Sequence, residues 1–255
     1  MKFDEIAVVE EQKEISDGIY DMWIVTENIA EKAVPGQFVS VYSDDGSRLL
    51  PRPISICRTE GRRLRIVYRV VGKGTEEFSH KKTGDRIHIL GPLGNGFPVD
   101  EAEGKRAILI GGGIGIPPMI ELARRIYGHK DIVVGYRSSD TFLDKELKLY
   151  GELKIATDDG SLGTHGTVID AIKENGIEGD VIYACGPTPM LRAVKNYAEE
   201  RGIEAWLSLE EKMACGIGAC LACVCQSTET DGHSMVRNKR ICKDGPVFNA
   251  KEVEL

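Results

Sequence analysis

The 255-residue chain has no uninterrupted apolar run that approaches the roughly 20 residues a bilayer span requires. It also has no surplus of positive charge. Forty Asp and Glu outnumber 33 Lys and Arg, a net charge of −7, which argues against nucleic acid and against an anionic membrane surface as partners. The five histidines, at 80, 88, 129, 165 and 233, show no metal-ligand spacing and read as solvated or structural. There is no internal repeat, low-complexity tract or long flexible linker. The opening residues 1–11 are strand-like and too acidic for a secretory or transit signal, so the expected compartment is the reducing cytoplasm. What the composition supplies is 42% hydrophobic residues, enough to build two compact domains and a small appendage.

The cysteines are the most specific feature present. Cys215, Cys220 and Cys223 form a C-x4-C-x2-C loop, Cys225 follows at once, and Cys242 lies further on. This is the spacing of plant-type ferredoxins, in which four thiolates hold a 2Fe–2S cluster. Ala214, Gly216, Gly218, Ala219 and Ala222 of this loop are small, and no charge falls between Cys215 and Cys225. A backbone that wraps closely can aim N–H groups at the sulfurs and tune their potential. A structural zinc site, a disulfide or buried free thiols are the alternatives. Zinc sites more often pair C-x2-C motifs, and disulfides suit secreted chains. The expected ligands are Cys215, Cys220, Cys223 and Cys242. Cys225 reads as a packed thiol, because adjacent ligands at C-x-C would strain the wrap. A hairpin insertion is expected over Ser227–His233, around Gly232.

Upstream, residues 1–100 read as β. Ile19–Thr26, Phe38–Tyr42, Arg65–Val71 and Arg86–Leu90 are short β-branched or aromatic runs divided by Pro35-Gly36, Asp45-Gly46, Gly61, Gly84-Asp85 and Gly91–Gly96. Closely spaced short strands predict a small antiparallel barrel. From residue 101 to 207 the pattern becomes β-α. Strands at Arg106–Ile110, Asp131–Tyr136 and Asp180–Ala184 alternate with helices near Met119–Tyr127, Leu143–Leu149, Val168–Lys173 and Met190–Arg201. That alternation predicts a doubly wound parallel sheet. The fold class is therefore β plus α/β, with residues 208–255 as a small cysteine-bearing segment.

Four turns carry candidate ligand contacts. Arg52-Pro-Ile-Ser55 ends a β segment, and an Arg there can clamp a pyrophosphate through its planar fork. Val71-Gly-Lys-Gly-Thr75 precedes a helix expected to start near Thr75, offering backbone N–H groups and a favourable dipole to a phosphate. Gly111, Gly113 and Gly115, in Gly111-Gly-Gly-Ile-Gly-Ile-Pro-Pro118, follow a strand and open a helix, the context a nucleotide-binding turn needs. Cys185 and Gly186 end another strand at the sheet edge where α/β folds bind ligands. Asp158–Ser161, with Gly163 and Gly166, would touch the adenosine half of a dinucleotide. Arg137 and Ser138 would meet a 2′-phosphate, so NAD and NADP both stay open. Each turn also has a plain structural reading, and Glu210 and Glu211 read as an exposed pair.

Taken together, R-P-I-S, G-K-G-T, G-G-G-I-G-I-P-P, C-G-P-T-P-M and the M-A-C-G-I-G-A-C-L-A-C-V-C loop resemble the ferredoxin–NADP reductase superfamily. The cysteine loop and the later R-I-C-K-D-G-P-V-F are similar, within it, to the dihydroorotate dehydrogenase B electron transfer subunits. The resemblance covers nearly the whole chain. It implies FAD at residues 1–100, NAD at 101–207 and a 2Fe–2S cluster at 208–255. It assigns FAD contacts to Arg52, Pro53, Ile54, Ser55, Val67, Tyr68 and Arg69, and pyrophosphate contacts to Gly74 and Thr75. The family's cluster ligands match Cys215, Cys220, Cys223 and Cys242, with Cys225 excluded. It also implies a partner, an FMN-containing dihydroorotate dehydrogenase catalytic subunit, in a heterotetramer of two of each chain. Barrel, sheet and cysteine segment leave no room here for a substrate barrel of roughly 250 residues. Relatives in a sulfide dehydrogenase or an NADH-dependent ferredoxin:NADP oxidoreductase share the same three modules. A redox sensor without turnover is the reading from a different class.

Overall fold

A computed structural model describes residues 1–230 and 235–255. The first six strands are β1 (Phe3–Ser16), β2 (Ile19–Val25), β3 (Phe38–Val41), β4 (Arg52–Glu60), β5 (Arg63–Arg69) and β6 (Arg86–Leu93). They close an antiparallel barrel in the order β1-β2-β5-β4-β3-β6. Its interior follows from period-2 alternation: Ala7 and Val9 of β1, Met22 and Ile24 of β2, and Ile54 and Ile56 of β4 meet Leu64, Ile66 and Tyr68 of β5. A short helix α1 (Ile29–Lys32) plugs one side and α2 (Lys73–Ser79) leaves β5 at the other.

The second unit is a seven-stranded sheet. It contains β7 (Ala107–Gly112), β8 (Lys130–Tyr136), β9 (Glu152–Thr157), β10 (Thr164–His165), β11 (Val181–Cys185), β12 (Glu204–Ser208) and a late strand, β15 (Val247–Asn249). The order is β10-β9-β8-β7-β11-β12-β15, parallel throughout except for β15. Helices α3 (Pro118–Arg125) and α4 (Asp144–Leu147) cover one face, and α5 (Val168–Glu174) and α6 (Thr188–Arg201) the other. The strands carry almost unbroken apolar runs, as sheets buried on both faces require. Thr167 caps α5, accepting from Asp170 N at 3.3 Å while Asp170 accepts from Thr167 N at 2.8 Å.

The segment after Ser208 is not a separate body. Its cysteine loop leads to a hairpin of β13 (Val224–Gln226) and β14 (Asn238–Arg240), and the chain then enters the sheet as β15. The insertion expected over Ser227–His233 lies between those two strands, and its residues 231–233, Gly232 and His233 among them, fall outside the described residues.

Several predicted boundaries shift, three of them at candidate ligand motifs. The R-P-I-S motif opens β4 instead of ending a strand. Helix α2 starts at Lys73, two residues early, because extended Gly72 serves as its cap. Helix α6 starts at Thr188, with Pro189 in its first turn, where proline fits because its missing N–H would lack an intrahelical partner.

Candidate functional site

The predicted flavin contacts lie on two adjacent barrel strands. Ile54 of β4 points into the barrel, so Pro53 and Ser55 alternate to the outer face. On β5, Val67 packs outward with Ile19, Cys57 and Ile116 of the sheet unit. Tyr68 turns inward instead: its ring stacks on Tyr20 at 5.9 Å, meets Phe78 edge-on at 6.2 Å, and its hydroxyl donates to Gln12 Oε1 at 2.8 Å. Burial pushes its phenol above the ordinary range. Tyr68 therefore offers the outer face its backbone and not its hydroxyl. Arg69 ends β5 exposed to solvent.

Arg52 and Gly74 meet. A Cβ added at Gly74 would fall 2.2 Å from Arg52 Nε and 2.4 Å from Cζ, so the guanidinium lies against the first turn of α2. Arg52 Nη1 donates to Leu50 O at 2.5 Å. The Thr75 hydroxyl accepts from Val71 N (3.0 Å) and Gly72 N (3.3 Å) and donates to Gly72 O (3.0 Å), so it shapes the loop. A planar guanidinium beside first-turn N–H groups that lack intrahelical partners is a donor-rich, cationic corner. It fits a pyrophosphate.

The predicted nucleotide contacts converge where the strand order reverses, between β7 and β11. Gly111 and Cys185 are direct partners across these strands. A Cβ at Gly115 would lie 2.4 Å from Cys185 O and 2.6 Å from Gly186 N, so the two turns touch backbone to backbone. Gly113, in the same turn, faces open space. Burial raises the Cys185 thiol to about 12, against the opposing hydrogen bond of Ser208. A thiol held neutral packs against a ring without reacting. At the same sheet edge Asp159 N donates to Arg137 O at 3.2 Å and Ser139 N to Ser161 Oγ at 2.7 Å, bringing the two candidate adenosine-side loops together.

The four predicted cluster cysteines come together in two pairs. Burial disfavours the Cys215 thiolate, but N–H groups of Ile217, Cys220 and Ala219, with the Cys220 thiol, outweigh it and bring the pKa down to about 6. The Ala219 N–H lies 3.3 Å from Cys215 Sγ. Cys223 and Cys242 are the second pair: Cys242 N donates to Cys223 Sγ at 3.4 Å. Burial and the neighbouring Cys223 sulfur push the Cys242 thiol up to about 12. Among the described residues no three Cys, His, Asp or Glu side chains close on a single-ion site. Two thiol pairs with N–H donors already aimed at sulfur suit two irons, each taking two thiolates. Cys225 stands apart, its thiol donating to Lys239 O at 3.6 Å within the hairpin.

The loop is placed against the barrel by contacts that single motifs do not announce. A Cβ at Gly216 would be 2.8 Å from Ser40 Oγ and 3.3 Å from Leu93 Cδ1. Ser40 is the strand partner of Pro53. The cysteine loop thus rests on β3, one strand from the candidate flavin strand β4. Asn95, in a stretch legible only as a turn, donates to the carbonyls of Lys243 (3.3 Å) and Asp244 (2.9 Å) just after Cys242.

Comparison with known proteins agrees with this arrangement. The iron–sulfur cluster binding domain of dihydroorotate dehydrogenase B matches residues 210–254, and the oxidoreductase NAD-binding domain matches residues 109–196. The dihydroorotate dehydrogenase B (NAD(+)) electron transfer subunit of Geobacillus sp. (strain WCH70) is 44% identical over the full length of both chains. That of Listeria monocytogenes serotype 4a is 45% identical over 96% of each. The chain belongs to the dihydroorotate dehydrogenase B electron transfer subunit family. It is an oxidoreductase subunit, and the family brings with it the iron–sulfur and NAD-binding domains. The structure of an NADH-dependent reduced ferredoxin–NADP oxidoreductase, determined for flavin-based electron bifurcation, contains a similar chain. That chain has a TM-score of 0.87 and 30% identity, over 98% of this subunit and 90% of its own length. The Amycolatopsis cytochrome P450 reductase shares the fold, at TM-score 0.66 and 23% identity over 78% of this subunit and 66% of that chain.

Proposed function

We propose that this subunit relays electrons between a dihydroorotate-oxidising partner and NAD+. The partner is an FMN-containing catalytic subunit, assembled as two of each chain in the cytoplasm. Among the described residues no helix is long and apolar enough to cross a membrane. Residues 1–100 hold FAD, 101–207 hold NAD and 208–255 hold the 2Fe–2S cluster. The observation that carries the reading is the seat of Gly216 on Ser40, the strand partner of Pro53, which sets the cysteine loop beside the flavin strand.

When bound, the cluster supplies one-electron exchange, FAD converts between one- and two-electron steps, and NAD+ accepts only hydride. The chain's own residues bind and orient. Arg52 and the first turn of α2, with Gly74 and Thr75, hold the pyrophosphate of FAD, and Pro53, Ile54, Ser55, Val67, Tyr68 and Arg69 contact the cofactor, Ile54 and Tyr68 through their backbone. Gly111, Gly113, Gly115, Cys185 and Gly186 form the floor for NAD, and Cys185 stays a neutral thiol there. Cys215 with Cys220, and Cys223 with Cys242, hold the irons. No side chain is assigned a proton transfer.

An anaerobic absorption spectrum before and after NADH, with EPR of the reduced sample, tests this reading. Flavin bleaching with a 2Fe–2S signal is the expected result, and a protein without a cluster after anaerobic purification overturns it. The likeness to the ferredoxin–NADP oxidoreductase chain favours one rival reading, a subunit of such an enzyme. Dihydroorotate-driven NADH formation in the reconstituted complex decides for the proposed one.

A further inference from the structure

The barrel and the sheet unit are joined by buried charge. Arg65 of β5 is 7% exposed. Its Nε and Nη2 each donate to the Asp21 carboxylate at 2.8 Å, a bidentate pair within the barrel wall. Its remaining nitrogen, Nη1, crosses to the sheet unit and donates to Glu146 Oε2 at 2.6 Å. The other oxygen of Glu146 accepts from Arg58 Nη1 of β4 at 3.0 Å. Glu146 therefore ties two barrel strands at once. It sits on the four-residue helix α4, which begins after Leu143, a non-glycine residue at φ +63°. Further hydrogen bonds cross the same joint. Glu121 of α3, 1% exposed, accepts from Thr59 N at 3.3 Å, and Ser16 Oγ donates to Asp140 Oδ2 at 2.9 Å.

The position of this clamp gives it a role. Arg65 shares one face of β5 with Val67, two residues on, and Arg58 continues β4 from the R-P-I-S motif. Glu121 lies in the first turn of the helix that the glycine turn opens. The strands that border the candidate flavin site and the helix that follows the candidate nucleotide turn are thus the elements the clamp connects. We propose that Glu146, acting through Arg65 and Arg58, is a positioning residue that fixes the angle between barrel and sheet, and with it the approach of nicotinamide to flavin.

The proposal rests on the electron-relay reading, in which a hydride passes between flavin and nicotinamide; in the assay direction NADH gives up that hydride to become NAD+, and oxidised FAD takes its two electrons and proton. Transfer of this kind is steep in geometry: a misplacement of about 1 Å costs on the order of a hundredfold in rate. Binding to either half-site alone is not. Loosening the joint should therefore separate rate from affinity.

The test uses the full-length cofactor-loaded subunit, with Glu146→Gln to remove the charge and keep the shape. Stopped-flow reduction by NADH gives a limiting rate and a dissociation constant, while Trp23 fluorescence, recorded in a Trp206→Phe background, reports on the Arg65 side of the joint. The Trp23 ring lies 5.6 Å from the Arg65 guanidinium carbon. The expected result is a limiting rate lower by about tenfold or more, NADH affinity within about twofold, an unchanged cluster EPR signal and altered Trp23 emission. An unchanged limiting rate overturns the proposal. So does a rate loss explained by weaker NADH binding, which would place Glu146 in the nucleotide site. Arg58→Gln, at the rim where Arg58 is 25% exposed, decides the matter if the Glu146 variant fails to fold, with the same split expected. Failure of the wild-type flavin to be reduced by NADH refutes the electron-relay reading instead.

Discussion

Replacing Gly115 with alanine should separate the two nucleotide turns, and the size of the effect follows from what the new methyl group meets. It would stand 2.4 Å from the Cys185 carbonyl oxygen, 2.5 Å from that carbonyl carbon and 2.6 Å from Gly186 N. All three are backbone atoms, so no side chain can swing away. Cys185 cannot retreat easily either, because β11 is held between Gly111 of β7 and Ser208 of β12. The turns must part by roughly half an ångström, an overpacking strain of about 1–3 kcal/mol. For a chain of this size that lowers the melting temperature by roughly 3–10 °C. If about 1.4 kcal/mol of it falls on the bound state, NADH binds about tenfold more weakly. Differential scanning fluorimetry and an anaerobic NADH titration measure both, with FAD and cluster content unchanged. A Gly115→Ala protein with wild-type melting temperature and NADH affinity refutes the backbone contact between the turns.

Three further outcomes are expected. Gly74→Ala displaces the Arg52 guanidinium from the start of α2 and Arg52→Ala removes it. Both should lose FAD on gel filtration while the cluster absorbance stays, and full FAD retention by both would remove Arg52 from the site. Cys220→Ser should abolish the cluster signal and Cys225→Ser, whose thiol donates to Lys239 O within the hairpin, should keep it, as checked by EPR of anaerobically purified protein. Asn95→Ala breaks two hydrogen bonds to the carbonyls after Cys242, about 1 kcal/mol each at most for an exposed donor. The cluster should then bleach several-fold faster in air, and an unchanged bleaching rate would show that Asn95 does not brace that segment.

The parts of this site carried by local chemistry were legible in the chain. Strand–turn spacing marked the barrel, β-α alternation marked the sheet, and the cysteine spacing marked the residues that the fold sets in two pairs, Cys215 with Cys220 and Cys223 with Cys242. What lay hidden was pairing at long range. Arg65, Asp21 and Glu146 are charges spaced through three different motifs, and nothing local distinguishes them from solvated residues. Strand β15 is only three residues long, too short for a period, so its place in the sheet depends on Leu207 and Phe248 meeting across the ladder. Tyr68 illustrates a different gap. Its motif identifies a position on β5, but the pleat decides which face receives the ring, and here that face is the barrel interior.

The two joints around the candidate flavin strands differ in kind, and the difference bears on what each can do. The cysteine segment is bound by apolar packing and backbone contacts: Ile241, Phe248 and Val253 share a buried cluster with Phe38 and Leu93, β15 pairs with β12, Leu209 N donates to Pro246 O at 2.9 Å, Asn95 N donates to Gly245 O at 2.6 Å, and Gly216 rests on Ser40 without room for a methyl group. Such contacts are short and spread along the chain, so the distance between cysteine loop and barrel is fixed by packing. The joint between barrel and sheet unit adds buried ions to its apolar contacts. Taking Arg65, Asp21 and Glu146 out of water is costly, and hydrophobic residues of equal size would often be as stable. What the ions provide is direction, because a bidentate Arg–carboxylate pair tolerates little rotation. A one-electron step across a packed gap needs nearness, whereas a hydride must arrive at the correct face and angle. The directional joint lies between the two units that would exchange the hydride.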